Sequence, residues 1–255
     1  MDKDMLQRLF SCIDNTTLNA TDNNQSVEAF CRRTLELRLP HVTQDATVAA
    51  VCVYPRFVEV AQRVLEGSGT KVASVAGAFP HGQLPIGLKV EEVRYAVAQG
   101  ADEVDVVINR GLLLAGEDNA VRDEVAAMKE ACQGHTLKVI LETGELQDIA
   151  HAAQLAIDGG ADFIKTSTGK IAVGATLEAA EAMLNVVKEN VKINKKAIGF
   201  KAAGGISTPD EALAYAEMAK KIMGDDYVNN QTFRIGASRL TERLHAFLTF
   251  NSAAN

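Results

Sequence analysis

The sequence is poor in cysteine, in positive charge and in long apolar runs, and each shortage removes a class of function. Its four cysteines, Cys12, Cys31, Cys52 and Cys132, lie far apart without CxxC spacing or a nearby His pair. Neither a zinc site nor a disulfide framework is indicated, and reduced thiols are expected. The histidines His41, His81, His135, His151 and His245 are likewise scattered without metal-ligand spacing, and His81 is expected in a structural loop role. Lys and Arg total 26 against 33 Asp and Glu, a formal charge of −7, with no basic block interleaved with aromatics. The field that phosphate neutralisation requires is missing, so nucleic acid is not an expected partner. The longest apolar stretch, Ala46 to Tyr54, is interrupted by Thr47 and falls far short of the ~20 residues that span a bilayer. Met1 to Phe10 carries Asp2, Lys3, Asp4 and Arg8 where a signal peptide needs a continuous apolar region. A cytoplasmic protein is expected.

What is present is a 47% hydrophobic chain of 255 residues, long enough to bury roughly three quarters of its unfolded surface without staples. Short β-branched runs recur at Val48 to Tyr54, Val72 to Phe79, Glu103 to Asn109, Leu137 to Thr143, Phe163 to Ser167, Ile198 to Ala203 and Phe233 to Ser238. Each reads as a buried strand, and a weaker run, Phe10 to Asp14, sits in phase as an eighth. Between them the apolar spacing becomes helical, as at Val90, Val93 and Val97, at Val121, Val125, Met128 and Cys132, and at Leu177, Ala180, Leu184 and Val187. Thr208-Pro209-Asp210-Glu211 reads as a capping box that opens a helix. Strand and helix alternate without a Ser/Pro/Gly-rich linker, and no strand is followed by GxGxxG. The expected fold is α/β, a single-domain TIM-type (β/α)8 barrel over residues 1–255.

Function in such a barrel gathers at the C-terminal ends of the strands. Three charged residues interrupt apolar runs there: Asp105, Lys165 and Lys201. An unpaired carboxylate inside a strand costs several kcal/mol, so Asp105 requires a cationic or hydrogen-bonding partner, which a buried lysine supplies. Strand parity places Lys165 on one face with Phe163 and Ser167, and Lys201 on one face with Gly199 and Ala203. Two inward lysines roughly 6 Å apart repel by about 2.8 kcal/mol at an effective dielectric of about 20, which favours one neutral amine. A neutral amine in a confined site attacks carbonyls, and the resulting iminium is an electron sink for making or breaking a carbon–carbon bond. The alternative reading of the two lysines is a pair of structural ion pairs at strand ends. Lys138 is expected to form an ion pair beneath the site, Glu142 to extend the polar network beside Asp105, and Asp14 to stabilise loops or touch a substrate hydroxyl.

Small residues at Gly204-Gly205 and Gly236-Ala237-Ser238 expose backbone N–H groups near helix starts, where barrels commonly hold phosphate. Gly169 and Lys170 lie in the preceding loop. Thr166 to Lys170 is not a P-loop, because Ile164 stands where the motif's earlier Gly belongs and Ile171 where Ser or Thr binds magnesium.

Taken in order, Asp14-Asn15-Thr16-Thr17-Leu18, Val51 to Phe57, Phe79-Pro80-His81-Gly82, Gly100 to Asp105, Glu142-Thr143-Gly144, Phe163 to Gly169, Gly199-Phe200-Lys201 and Gly204-Gly205 resemble the deoxyribose-phosphate aldolase family over nearly the whole chain. The resemblance implies interconversion of 2-deoxy-D-ribose 5-phosphate with acetaldehyde and D-glyceraldehyde 3-phosphate. It makes Lys165 the Schiff-base nucleophile, Lys201 the neighbouring charge and proton relay, and Asp105 the acidic partner that moves protons through water. Asp14, Cys52 and Thr168 join the implied substrate-binding set, and phosphate is expected on Gly169, Lys170, Gly204, Gly205, Gly236 and Ser238. No metal or organic cofactor is expected, and a homodimer is the family-based expectation. The chain departs from the family pattern at Asn15, where an apolar residue is usual, at Ala202, where proline is frequent, and at Arg239, where a second serine is common. Two other readings remain: another Schiff-base barrel that takes a ketone donor, and a non-catalytic sugar-phosphate sensor.

Overall fold

The computed structural model describes residues 3–39 and 46–250, so His41 lies outside the described residues. Its strands are β1 (Ile13–Thr16), β2 (Ala50–Val53), β3 (Lys71–Ala76), β4 (Glu103–Val107), β5 (Thr136–Ile140), β6 (Phe163–Lys165), β7 (Gly199–Ala203) and β8 (Phe233–Ala237). They pair in parallel and in sequence order, and β8 closes on β1. The helices are α1 (Lys3–Phe10), α2 (Asn24–Glu36), α3 (Val58–Leu65), α4 (Ile86–Ala98), α5 (Arg110–Leu114), α6 (Asp118–Ala131), α7 (Ile149–Asp158), α8 (Leu177–Asn194), α9 (Pro209–Met223) and α10 (Leu240–Phe250). The result is the expected (β/α)8 barrel.

The two faces of each strand are chemically distinct, as the alternation of strand side chains requires. Val51, Val104, Val106, Leu137, Val139, Ile164, Phe200 and Ile235 belong to the large apolar core between barrel and helices. The opposite faces of β2 and β3, with Ala50, Cys52, Ala73 and Val75, form a separate small apolar cluster under Leu18. The remaining interior is charged, and glycine makes room for it. A Cβ on Gly199 would fall 2.2 Å from the Phe163 ring, and one on Gly236 would fall 3.0 Å from Lys201 Cε. The Thr208 and Glu211 capping box opens α9 as its sequence predicts.

Strands β3, β4 and β5 end two or three residues before the expected runs, at Ala76, Val107 and Ile140, and two further differences have an identifiable cause. Phe10 closes α1 instead of opening β1, because Met5, Leu6, Leu9 and Phe10 bury one helical face. Helix α1 packs against α9 and α10, and β1 begins three residues later than the run suggested. β6 stops at Lys165, short of the expected Ser167, because the Thr166 hydroxyl takes over the pairing with β7. It donates to the Ala203 carbonyl at 3.1 Å and accepts from the Ala203 N–H at 3.0 Å.

Asn15 is 3% exposed, and its amide fastens β1 to two helices. Nδ2 donates to Thr34 Oγ1 of α2 at 2.8 Å, and Oδ1 accepts from Thr241 Oγ1 of α10 at 3.0 Å. A satisfied polar bridge thus joins the strand to both helices. Asn15→Leu leaves the buried Thr241 hydroxyl without its acceptor, at a cost of about 1–3 kcal/mol. Urea unfolding is expected to show a lower midpoint with an unchanged slope, whereas a midpoint equal to that of the parent protein would mean the bridge contributes nothing.

Candidate active site

Charged residues from six strands meet inside the barrel. Asp14 comes from β1, Glu103 and Asp105 from β4, Lys138 from β5, Lys165 from β6, Lys201 from β7 and Arg234 from β8. All seven are less than 5% exposed. The parallel register brings them together, since Asp105 is level with Lys138, Lys165 with Lys201, and Lys201 with Arg234.

At the centre is Asp105. Its Oδ2 accepts from Lys165 Nζ at 2.8 Å and from Lys201 Nζ at 2.8 Å, while Oδ1 accepts from Lys138 Nζ at 2.9 Å. One oxygen therefore holds the two candidate amines beside each other. Below, Lys138 also reaches Glu103 Oε2 at 2.6 Å and Asp14 Oδ2 at 3.3 Å. Arg234 bridges Asp14 at 2.7 Å and Glu103 at 2.8 Å, and its guanidinium lies 5.5 Å from the Phe163 ring centroid. Lys201 completes the set with a second bond to Asp14 Oδ2.

Three carboxylates thus face four buried basic groups, and the partly exposed Lys71 adds a fifth at the lower edge, 3.0 Å from Glu103 Oε1. Lys165 is the base the environment disfavours as a cation. Burial pushes its pKa down and the Lys201 ammonium adds to that effect, against the opposing pull of Asp105. The repulsion between lysines expected from the sequence is present, but burial is the larger cause. Burial also acts on Lys201 and Lys138, yet Asp105 and Asp14 outweigh it and raise both. Burial would likewise raise Asp105, and the three lysines reverse this and hold its carboxyl well below the usual range. The arrangement offers one amine able to be neutral, one retained ammonium and one permanent carboxylate.

Lys165 opens onto a cavity of about 300 Å³ at the C-terminal ends of the strands. Thr168, Gly169, Lys170, Gly204, Gly205, Gly236 and Ser238 line it, so seven expected residues converge with Lys165 on one space. Thr16 at the end of β1 and Thr17, Leu18 and Asn19 of the loop after it form a wall, and Arg239 also lines the cavity. Gly169, Gly204 and Gly205 have φ of 74°, 93° and 87°, a backbone region that glycine enters without steric cost and that turns these loops toward the cavity. Lys170 Nζ spans the opening to donate to the Leu18 carbonyl at 2.5 Å, which the Tyr54 hydroxyl also approaches at 3.3 Å.

Three expected placements change. Asp14 and Cys52 do not line the cavity. Asp14 is fully buried in the charge cluster instead of serving a loop, because its side chain points inward from β1 and meets Lys201 and Arg234. Cys52 lies in the apolar cluster of β2 and β3, where burial raises its thiol to about 11. Glu142 does not join Asp105, since β5 ends at Ile140 and the chain turns into a left-handed conformation at Glu142, with φ 60° and ψ 58°. His81 is exposed in its loop, with Nδ1 accepting from the Gln83 N–H, as expected. Glu103 and Arg234 were missed by sequence reasoning, although each shares strand parity with a residue that was found, Asp105 and Gly236 respectively.

The lower part of the cluster carries a pH signature. Burial alone would raise Glu103, but Lys138 and Arg234 outweigh it and hold its carboxyl at about 2. That value lies below the ~4.3 of an unfolded glutamate, so its stabilisation is complete above the unfolded value and is lost as pH falls toward 2. In Glu103→Gln, the drop in urea midpoint between pH 5 and pH 2 is expected to be smaller than in the parent protein. An equal drop would contradict the pairing.

The protein's relatives bear on this geometry. Residues 9–240 match the model of the DeoC/LacD family aldolases. The structure of QR15, an aldolase, has 30% sequence identity and a TM-score of 0.79, with coverage of 97% of this chain and 99% of that one. A candidate deoxyribose-phosphate aldolase from Coccidioides immitis has 27% identity and a TM-score of 0.81, over 95% of this chain and 86% of its own. The tetrameric deoxyribose phosphate aldolase of Aeropyrum pernix shares the fold at 24% identity and a TM-score of 0.74, over 98% and 99% of the two chains. With the family match extending over most of its length, this chain belongs to the DeoC/LacD family of aldolases.

Proposed function

We propose that the protein is a class I aldolase that reversibly cleaves 2-deoxy-D-ribose 5-phosphate to acetaldehyde and D-glyceraldehyde 3-phosphate through a Schiff base on Lys165. The observation that carries this reading is the single Asp105 oxygen shared by Lys165 and Lys201, with Lys165 open to the cavity. In cleavage, the neutral Lys165 amine adds to C1 of the open-chain aldehyde to give a carbinolamine. Loss of its hydroxyl as water gives the iminium. The C3 hydroxyl then releases its proton, the C2–C3 electron pair moves into the iminium, and C3 leaves as the aldehyde of D-glyceraldehyde 3-phosphate. The enamine takes a proton at C2, and water releases acetaldehyde and restores the amine.

Lys201 suits the proton-donor role, because Asp105 and Asp14 hold it as an ammonium beside Lys165. Asp105, kept ionised, orients both amines and accepts the hydrogen bonds that carry protons between them and water. Recognition of the phosphate falls to the glycine-rich loops, whose N–H groups and the nearby Lys170 and Arg239 give the cavity rim a positive character. Among the lining residues no carboxylate opposes an anion.

Lys165→Ala is expected to abolish cleavage of 2-deoxy-D-ribose 5-phosphate while the protein remains folded by circular dichroism. Lys201→Leu is expected to slow cleavage at least about 100-fold and to move the acid limb of the rate profile to higher pH, because removing the neighbouring ammonium raises Lys165. Retained turnover in Lys165→Ala would overturn the mechanism. Faster turnover of a ketone donor than of acetaldehyde in the synthetic direction would overturn the substrate assignment.

A further inference from the structure

Glu142 is fully buried, does not line the cavity, and is one of four non-glycine residues held at positive φ among the described residues. Left-handed backbone at a residue with a side chain persists only where surrounding contacts enforce it, and such positions gather at functional sites. The contacts here converge on one residue of the cavity wall. Glu142 Oε1 accepts from the Thr168 N–H at 3.1 Å, and Oε2 accepts from the Thr168 hydroxyl at 2.5 Å. Arg110 stands behind the carboxylate, with Nη1 3.6 Å from Oε2 and Nε paired to Glu145 at 2.8 Å.

We propose that Glu142 is a positioning residue for the aldehyde acceptor, acting through Thr168; this rests on the aldolase reading above. A hydroxyl has one proton and two lone pairs. The Thr168 proton is committed to Glu142, and one lone pair accepts from the Lys170 N–H at 3.0 Å. What remains for a ligand is a single lone pair, which accepts from a substrate hydroxyl and repels a phosphate or carbonyl oxygen. Glu142 thereby sets the polarity of this part of the wall and anchors the start of the Thr168-Gly169-Lys170 loop. In Glu142→Gln, Oε1 can still accept from the Thr168 N–H, but Nε2 donates to the hydroxyl oxygen and frees its proton, so the wall changes from acceptor to donor.

Two readouts test this. In acetaldehyde addition, Glu142→Gln is expected to lower the ratio of kcat/KM for D-glyceraldehyde 3-phosphate to that for 3-oxopropyl phosphate, which lacks the 2-hydroxyl, by at least about tenfold, mainly through KM. A ratio within twofold of the parent value would overturn the polarity role, as would a parallel fall for both acceptors. The second readout needs no turnover. Amide hydrogen exchange at Thr168 is expected to accelerate at least about tenfold in Glu142→Ala and to stay near the parent rate in Glu142→Gln, which keeps the acceptor. Unaltered exchange in Glu142→Ala would overturn the clamp itself. If the parent protein turned over neither acceptor while exchange followed this pattern, the proposed reaction and with it the acceptor role would fall, and the clamp alone would stand.

Discussion

The constraint on which the interior depends is the placement of two lysines on one carboxylate oxygen. Asp105 is too deeply buried to stay ionised alone, and three lysines are too many for one carboxylate. The barrel resolves this by adding Asp14, Glu103 and Arg234 below, so that every charge has an opposite neighbour within hydrogen-bond reach. Lys165 is at the upper edge of this cluster and the only member lining the cavity. It keeps one carboxylate contact where Lys201 has two and Lys138 three, so it is the amine that burial depresses.

The scaffold makes this arrangement affordable. The small residues Ala50, Cys52, Ala73 and Val75 fill the β2 and β3 side of the interior beside the charged cluster, and glycines on β7 and β8 leave space for Phe163 and for the Lys201 stem. The large apolar core surrounds the barrel on its outside, and the cavity opens the cluster at Lys165. Polar connections such as Asn15 to Thr34 and Thr241, and Thr166 to Ala203, then tie the strand ends to neighbouring elements and fix the loops from which the cavity is built.

Much of this was readable from the sequence because buried charge inside a β-branched run is rare and strand parity is strict. Asp105, Lys165 and Lys201 stood out on those grounds, and the glycine pairs marked loops that do meet at the cavity. Glu103 and Arg234 obey the same rule, but they lie nearer the N-terminal strand ends, where function was not sought. Asp14 was misjudged because Phe10, the last residue of α1, imitates the start of a strand, which displaced β1 and hid the inward direction of its side chain. Glu142 was misplaced for a related reason. Parity carries no information once the backbone enters the left-handed region, so its contact with Thr168 could be found only in three dimensions.

The most direct test of the central claim is borohydride reduction of the protein in the presence of acetaldehyde, followed by intact-mass analysis and peptide mapping. Reduction converts an iminium into a stable N-ethyl lysine, and the account predicts one such adduct, on Lys165. Absence of an adduct, or its location on Lys201 or scattered over exposed lysines, would contradict it.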